Sequence, residues 1–204
     1  MRILKGALLA ALLVALLVAM LAALPSGSAS AADPADRDLG QLMTLLAMRQ
    51  HGHVQFVEQQ FLAVLDHPLE SSGEMRYDAP DRLEKRTLAP RAETLTLAGG
   101  VLTVDRGKSH RVVDLQAFPQ ARVLIESIRA TLAGDRAALE GLFKLEFAGS
   151  LAKWSLTLVP LDAKVKRTVA QVRIDGAQDQ LLRVEIRQAD GDRSLMTLRP
   201  APAP

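Results

Sequence analysis

The sequence predicts an α+β protein in which one curved antiparallel sheet of about eleven strands carries short helices over its apolar face. Three observations lead to this fold class. From residue 53 onward, short segments of alternating apolar and polar residues follow one another, separated by Gly, Pro and Asp. Their connections are too short for parallel crossovers, so consecutive strands must be antiparallel neighbours. A few segments with apolar residues at helical spacing supply the only cover for such a sheet, which must curl at this length.

Residues 1–31 have the composition of an export signal that is removed. Arg2 and Lys5 precede an uncharged apolar run of 19 residues from Gly6 to Leu24, and Ala29-Ser30-Ala31 then offers the small-x-small pattern that signal peptidase accepts. The pattern predicts cleavage after residue 31 and export of the rest of the chain. The alternative is an uncleaved membrane anchor, because a run of this length can span a bilayer.

Cleavage would change the charge of the protein. Two of the 25 basic side chains lie in the first 31 residues, which leaves 23 basic against 23 acidic side chains in the 173 residues that remain of 204. A balanced chain lacks the basic surplus of a nucleic-acid-binding protein. Its length suits one domain, predicted over residues 32–199. The absence of cysteine excludes disulfides, thiol nucleophiles and thiolate metal sites.

The residue pattern in the first half of the domain predicts one helix and six strands. Leu42, Leu45 and Leu46 recur at helical spacing within residues 39–50, and the helix ends near Gly52. The predicted strands are 53–64, 71–77, 82–88, 92–97, 101–105 and 109–115. Short turns at residues 78–81, 98–100 and 105–108 join the later ones into a meander.

A pair of helices interrupts the strands in the middle of the chain. Pro119 marks the start of a helix that runs through residue 133 and ends at Gly134. Asp135 can cap a short second helix, which has Leu139 and Leu142 on its apolar side. These helices are predicted to cover the sheet.

Five further strands complete the prediction, at 143–147, 154–159, 169–175, 181–188 and 193–198. Residues 160–166 form a loop or a brief helix, and the pairs Asp175-Gly176 and Asp190-Gly191 are hairpin turn signals. The proline-rich end, residues 200–204, is expected to leave the sheet and to be disordered.

The order and spacing of several motifs resemble those of the LolA-like outer-membrane lipoprotein carriers. The matching residues are Gln60-Phe61, Pro68, the segment Ser71–Tyr77, the segment Ala79–Leu83 and Pro90, followed by the helix pair, the Asp190-Gly191 hairpin and a Leu-rich last strand. The resemblance covers nearly all of the mature chain. Pro80-Asp81-Arg82-Leu83 and the helix end at residues 132–135 place the sequence nearer a divergent branch of that family.

The resemblance implies a half-open antiparallel barrel with helices on its concave side, no catalytic machinery and no cofactor. It also implies acylated cargo, a monomeric carrier, an inner-membrane release complex and an outer-membrane acceptor. One motif departs from the family. Typical carriers have Phe-Arg-Trp after the Pro of the third-strand turn, and that Arg helps to hold the helical lid closed. Here Leu83, Glu84 and Lys85 stand there, and Arg82 or Arg86 is the candidate for a substitute latch.

The concave apolar face can be either an ordinary filled core or an incompletely filled hollow. An acyl chain gains about 0.8 kcal/mol for each methylene that leaves water, so a hollow lined by flexible aliphatic side chains would suit it. The candidate lipid-binding residues, placed on the inward face by strand alternation, are Met75, Leu83, Leu95, Leu102, Val104, Val113, Phe147, Leu156, Leu158, Val184 and Ile186.

Two other groups of residues carry the types needed for chemistry. His51 and His53 could bind a metal ion, but no third ligand is spaced to match, and exposed imidazoles are expected instead. Ser109, His110 and Asp114 have the types of a nucleophile, base and orienting acid. Adjacent residues of a strand point to opposite faces, so the serine and the histidine cannot pair.

The sequence therefore favours a periplasmic carrier that moves lipoproteins or another lipid between the inner and outer membranes. The alternative is a sensor or scaffold domain on the same fold, which binds lipid or a protein partner. Lys164, Lys166 and Arg167 form either a solvated loop or an attractive edge for anionic headgroups or an acidic partner.

Overall fold

A computed structural model describes residues 34–202, and within them eleven antiparallel strands form a single open sheet. The predicted fold class, a curved antiparallel sheet covered by short helices, is confirmed. The strands are β1 (His51–Phe61), β2 (Leu69–Asp78), β3 (Arg82–Ala89), β4 (Glu93–Ala98), β5 (Val101–Arg106), β6 (Ser109–Val113), β7 (Phe143–Ser150), β8 (Lys153–Pro160), β9 (Val169–Ala177), β10 (Gln180–Gln188) and β11 (Arg193–Pro200). The helices are α1 (Pro34–Ala47), α2 (Pro119–Leu132), α3 (Arg136–Leu142) and α4 (Ala163–Lys166), with a 3-10 turn at Leu115–Ala117.

The sheet consists of two meanders that meet at the first and last strands. Its spatial order is β6-β5-β4-β3-β2-β1-β11-β10-β9-β8-β7. Strand β1 pairs with β2 on one side and with β11 on the other, so pairs such as Phe56 and Leu198 join the two ends of the domain at the centre of the sheet. Strands β6 and β7 form the two edges, which lie at opposite ends of the order.

Helices α2 and α3 lie between the two meanders in sequence, and their ends form as the residue types predict. Pro119 is the first residue of α2, where its missing N–H costs nothing. Gly134 follows the helix with φ +63, and the Asp135 side chain accepts a hydrogen bond of 3.0 Å from the Ala138 amide to cap α3. Helix α1 begins at residue 34 and ends at residue 47, several residues earlier than predicted at both ends.

The core lies between the helices and the concave face of the sheet. Leu42 and Leu46 of α1 and Leu139 of α3 are fully buried. They join fully buried side chains of the second meander: Phe143, Leu156, Leu158, Val169, Val172 and Ile174. Each such side chain contributes about 1.5–3 kcal/mol relative to its exposure to water, so this burial holds the helices on the sheet.

The sequence prediction of a hairpin turn at Asp175-Gly176 is wrong. Both residues belong to β9, and the turn lies at Gln178 and Asp179. The Trp154 indole lies directly over Gly176, where an added Cβ would stand 2.2 Å from the ring atom Cζ2. The indole Nε1 donates a 2.9 Å hydrogen bond to the Gln178 carbonyl. The glycine is therefore required by the ring above it and does not mark a turn.

The last strand also extends further than predicted. Pro200 pairs with Val54, and the Ala201 amide donates a hydrogen bond of 3.2 Å to the His53 carbonyl. The chain thus stays on the sheet past the predicted end at residue 198, because proline needs no ladder donor at a strand end. Residues 203–204 and the predicted signal segment, residues 1–31, lie outside the described residues. Within 34–202, none of the helices has the length and apolar character needed to span a bilayer.

We predict that Gly176→Ala lowers the free energy of unfolding by about 2–4 kcal/mol, because the new methyl group must displace either the buried indole or the Gln180 carbonyl, 2.5 Å away. The measurement is chemical unfolding followed by the fluorescence of the single tryptophan. Gly141→Ala is the matched control, since no atom lies within 4 Å of its added Cβ. Equal stability of Gly176→Ala and the parent protein would contradict the prediction.

Candidate functional site

All eleven candidate lining residues lie on the concave face of the sheet. Directly paired residues of antiparallel strands project from the same face. The register links Phe147 to Leu156, Met75 to Lys85 and Leu95, and Leu102 to Val113. Residues two positions apart on a strand project from the same face, and this places the remaining candidates on the concave face as well. Val57 and Arg199, at the alternate positions, project from the convex face.

An apolar cavity of about 130 Å³ lies between the centre of this face and helix α2. Four of the candidate residues line it: Met75, Leu83, Val184 and Ile186. The helix contributes Ile128 and Leu132. The other apolar side chains in its lining are Val54, Tyr77, Leu181, Met196 and Leu198, and the charged ones are Arg49 and Arg76.

The other seven candidates fall into two groups outside the cavity. Leu156 and Leu158 are fully buried in the core, and Phe147 packs against it, so this end of the concave face is filled. The second group is half-buried, lies on the first meander and is not part of the core cluster of the described residues. It consists of Leu95, Leu102, Val104 and Val113. Lipid contact by any of the eleven residues stays a prediction.

The sequence contained a signal for most of the lining residues that were missed. Ile128 and Leu132 recur at helical spacing in α2, and Met196 and Leu198 alternate in β11. Alternation identifies an inward face, but it does not tell which inward side chains border a gap. That distinction depends on where the helix crosses the sheet.

A charged pair interrupts the apolar concave face at one end of the cavity. The Lys85 ammonium group donates a 2.5 Å hydrogen bond to one carboxylate oxygen of Glu58, and the Ser194 hydroxyl donates a 2.6 Å bond to the other. The Lys85 nitrogen also lies 4.8 Å from the centre of the buried Phe56 ring. The side chains of Glu58 and Lys85 are 9% and 22% exposed.

Gly73 makes this contact across β2 possible. In the register it lies between Phe56 of β1 and Thr87 of β3, so no side chain stands between Lys85 and the carboxylate of Glu58. An added Cβ at this position would lie 1.9 Å from the Arg86 carbonyl oxygen, at a bulge in the β2–β3 ladder. The Ser-Ser-Gly motif of the sequence therefore has a structural cause.

The environment of Glu58 keeps it ionised. Burial raises the pKa of its carboxyl group, but the Lys85 charge and hydrogen bonds from Lys85, Ser194 and Gln60 lower it by more, so the pKa falls below the ordinary value of 4.5. The pair is therefore charged and mutually neutralised at neutral pH.

Neither proposed substitute for the lid latch faces the helices. Arg82 and Arg86 alternate with the inward Leu83 and Lys85, so both project from the convex face. Arg82 contacts Asp78 and Glu84 within its own hairpin. The latch hypothesis for these two arginines is wrong because strand parity turns them away from the cover.

Two ion pairs join the ends of α1 and α3 to other elements. Arg49, which follows α1, lies 3.2 Å from Asp179 in the β9–β10 turn. Arg136 of α3 contacts Asp36 of α1 at 2.5 Å. Both pairs are partly exposed, and such pairs contribute about 0–1 kcal/mol each. The helices are therefore held mainly by their apolar contacts.

The structure does not bring together the residues of the candidate metal site. His51 pairs with Asp78 and His53 with Glu74, both on the convex face. Among residues 34–202, there is no group of three or more His, Cys, Asp or Glu side chains that could hold a metal ion.

The three residues of the catalytic hypothesis are likewise separated. His110 contacts Asp105 across the β5–β6 hairpin, while the Asp114 side chain accepts a hydrogen bond from the Gln116 amide at the 3-10 turn. Ser109 neighbours His110 on β6 and projects from the opposite face, as alternation requires.

The basic cluster at Lys164, Lys166 and Arg167 is exposed on and next to the one-turn helix α4. Hydrogen bonds from the amides of Val165 and Lys164 lower the pKa of Asp162, which caps that helix. The cluster is thus held on an ordered turn. Its attraction for anionic headgroups or an acidic partner stays a prediction.

The amino-acid sequence matches a known protein family. A family model described as outer membrane lipoprotein carrier protein LolA-like matches residues 31–202. Among solved structures, the LolA superfamily protein NE2245 from Nitrosomonas europaea is 10% identical, with 82% of this chain and 95% of that chain covered and a TM-score of 0.45. The MucA/MucB complex of Pseudomonas aeruginosa is 17% identical, with 81% and 59% covered and a TM-score of 0.44. No curated protein is similar enough in sequence to count as a match.

We predict that Lys85→Met destabilises the protein by about 2 kcal/mol at neutral pH, below the roughly 3–5 kcal/mol of a fully buried pair because the lysine is partly exposed. The lowered pKa of Glu58 means that its ionised form stabilises the fold above pH 4.5, and that this contribution is lost as the pH falls through the folded-state pKa. Without the lysine, burial instead raises this pKa. The deficit of the variant should therefore shrink as the pH falls from 7 through the raised pKa of the variant and on through the lowered pKa of the parent protein.

Urea unfolding of both proteins between about pH 3 and pH 7 measures this difference. Arg86→Met is the control, because it removes the same charge from the neighbouring exposed residue on the convex face. A deficit that is constant across this range would show that the lysine acts through packing alone.

Proposed function

The chain belongs to the family of LolA-like outer membrane lipoprotein carrier proteins, and from that membership we propose that it is a periplasmic carrier of acylated cargo. It binds the acyl chains of lipoproteins or of another lipid in the hollow on its concave face and moves them between the inner and outer membranes. It would receive them from an inner-membrane release complex and deliver them to an outer-membrane acceptor. The apolar cavity under α2, at the centre of the sheet, is the observation that carries the proposal.

The size of the cavity supports a cover that moves. A closed apolar cavity of roughly 150 Å³ accommodates one benzene molecule. The cavity here, at about 130 Å³, has room for a comparable part of an acyl chain. A whole chain therefore requires α2 to move off the sheet. That movement would separate Ile128 and Leu132 from the strands and extend the hollow.

The half-buried first meander supplies the surface onto which the hollow would extend. Leu95, Leu102, Val104 and Val113 continue the apolar face beyond the cavity without belonging to the filled core. Burial of a methylene contributes about 0.8 kcal/mol, and the exposure of the helix face on opening offsets part of that gain. Such a balance gives binding that is reversible, as delivery requires.

A second candidate function is favoured by the filled end of the same face. Leu156, Leu158, Val172 and Ile174 are fully buried against the helices, so β8 and β9 offer no room for a ligand. A periplasmic sensor or scaffold, which binds a lipid or a protein partner as a signal, needs only the small cavity. Transfer of acyl probe from the loaded protein to acceptor vesicles distinguishes the two, because a sensor binds without delivering.

Native mass spectrometry of the protein purified from its own periplasm tests the proposal directly. Co-purified acyl species are expected, and their masses would identify the cargo. A ligand-free protein that also takes up no fluorescent acyl probe would rule the carrier function out.

We predict that Ile128→Trp lowers the affinity for a fluorescent fatty acyl probe by about tenfold, because the larger ring occupies the cavity that the probe must enter. Ile125→Trp is the matched control on the same helix, since that residue lines a separate groove beside Asp81 and Arg122. Fluorescence titration measures both affinities. Equal effects of the two substitutions would show that the probe binds elsewhere.

We also predict that Leu95→Asp abolishes uptake of the probe while the protein stays folded, because this half-buried leucine lies outside the core but on the path of the extended hollow. Thr94→Asp introduces the same charge one residue earlier, on the convex face, and should leave uptake unchanged. Circular dichroism checks the fold of both variants. Normal uptake by folded Leu95→Asp would limit the hollow to the cavity itself.

A further inference from the structure

The carrier function does not explain the ion pair formed by Glu58 and Lys85, which lies on the concave face beside the cavity. An ion pair inside an apolar face is weak evidence for stability, because apolar side chains of the same size often stabilise as well or better. Here the pair spans three strands and passes over Gly73, so it depends on a specific backbone arrangement. A role in ligand recognition would account for its presence.

The pair borders the cavity through the register of the sheet. Met75 is the direct neighbour of Lys85 on β2, and Met196 is the direct neighbour of Glu58 on β11. Both methionines line the cavity. Ser194, which holds the second carboxylate oxygen, pairs with Ile186, another lining residue. A ligand whose chain lies along these side chains would place its polar end at the ion pair.

The electrostatics of the pair decide which polar end fits. Lys85 directs one N–H to Glu58 and remains 22% exposed, so its ammonium group can donate to a ligand as well. Its charge is already neutralised by a carboxylate at 2.5 Å. A second carboxylate bound there would lie close to Glu58 and be repelled in a site with little water. A neutral acceptor, such as an ester carbonyl, meets no such repulsion.

We propose that the Glu58–Lys85 pair determines ligand class, accepting the neutral ester-linked head of an acylglycerol-type chain and rejecting free fatty acid anions. This inference rests on the proposed function, since it needs an acyl chain in the cavity. Lys85 donates to the ester carbonyl, and Glu58 supplies the charge that excludes a carboxylate. The two residues act on specificity and not on the capacity to bind a chain.

Competition between two ligands of equal chain length tests the proposal. Displacement of a neutral fluorescent probe is measured with dodecanoate and with 1-monododecanoylglycerol, both below their aggregation concentrations at pH 7.5. The wild-type protein should bind the glycerol ester about tenfold more tightly. In Glu58→Gln the unneutralised lysine should raise the affinity for dodecanoate about tenfold and leave that for the ester within about twofold.

Glu185→Gln is the matched control. Glu185 is as buried as Glu58, at 7% exposure, but it pairs with Arg187 on the convex face. This control removes the same charge without touching the cavity and should keep the wild-type ratio of affinities.

The outcomes separate this inference from the proposed function. Binding of either ligand with no preference for the ester in the wild type would overturn the inference and leave the carrier function standing. An unchanged ratio in folded Glu58→Gln would overturn it too. Failure of both ligands to displace the probe would overturn the carrier function together with the inference. The wild-type comparison needs no variant, so the test holds even if Glu58→Gln does not fold.

Discussion

The apolar face of one open sheet must be kept from water, and the rest of the structure depends on that constraint. Eleven strands in a single layer present more inward apolar surface than the four short helices of the described residues can fill evenly. Over the second meander, α1 and α3 bury Leu139, Leu156 and Ile174 completely. Over the centre, α2 leaves a gap bordered by Ile128 and Leu132. The uneven cover leaves one end of the concave face filled and an apolar cavity at its centre.

The attachment of the helices follows from the same constraint. Their ion pairs to the rest of the domain, such as that between Arg49 and Asp179, are partly exposed and contribute little. Apolar contact therefore holds α2 to the strands, and in the proposed carrier function an acyl chain would replace that contact with one of similar kind.

The charges of Glu58 and Lys85 on the concave face neutralise each other. Glu58 accepts bonds from Lys85 and Ser194, so neither charge of the pair is left uncompensated. The arrangement uses β1, β3 and β11 at once, and it fixes a polar boundary at one end of an otherwise apolar surface.

Residue pattern alone determined the number and order of the strands, the helix pair, the cap at Asp135 and the inward face of every candidate lining residue, because alternation and capping are local properties of the chain. The misassigned turn at Gly176 shows the limit of such reasoning. A glycine is required there because the ring of Trp154, 22 positions away in the sequence, leaves no room for a Cβ. Only the tertiary structure decided which inward side chains border the cavity and which are core, and that Lys85 reaches Glu58. Those properties depend on where α2 crosses the sheet and on the pairing of distant strands, which no local pattern encodes.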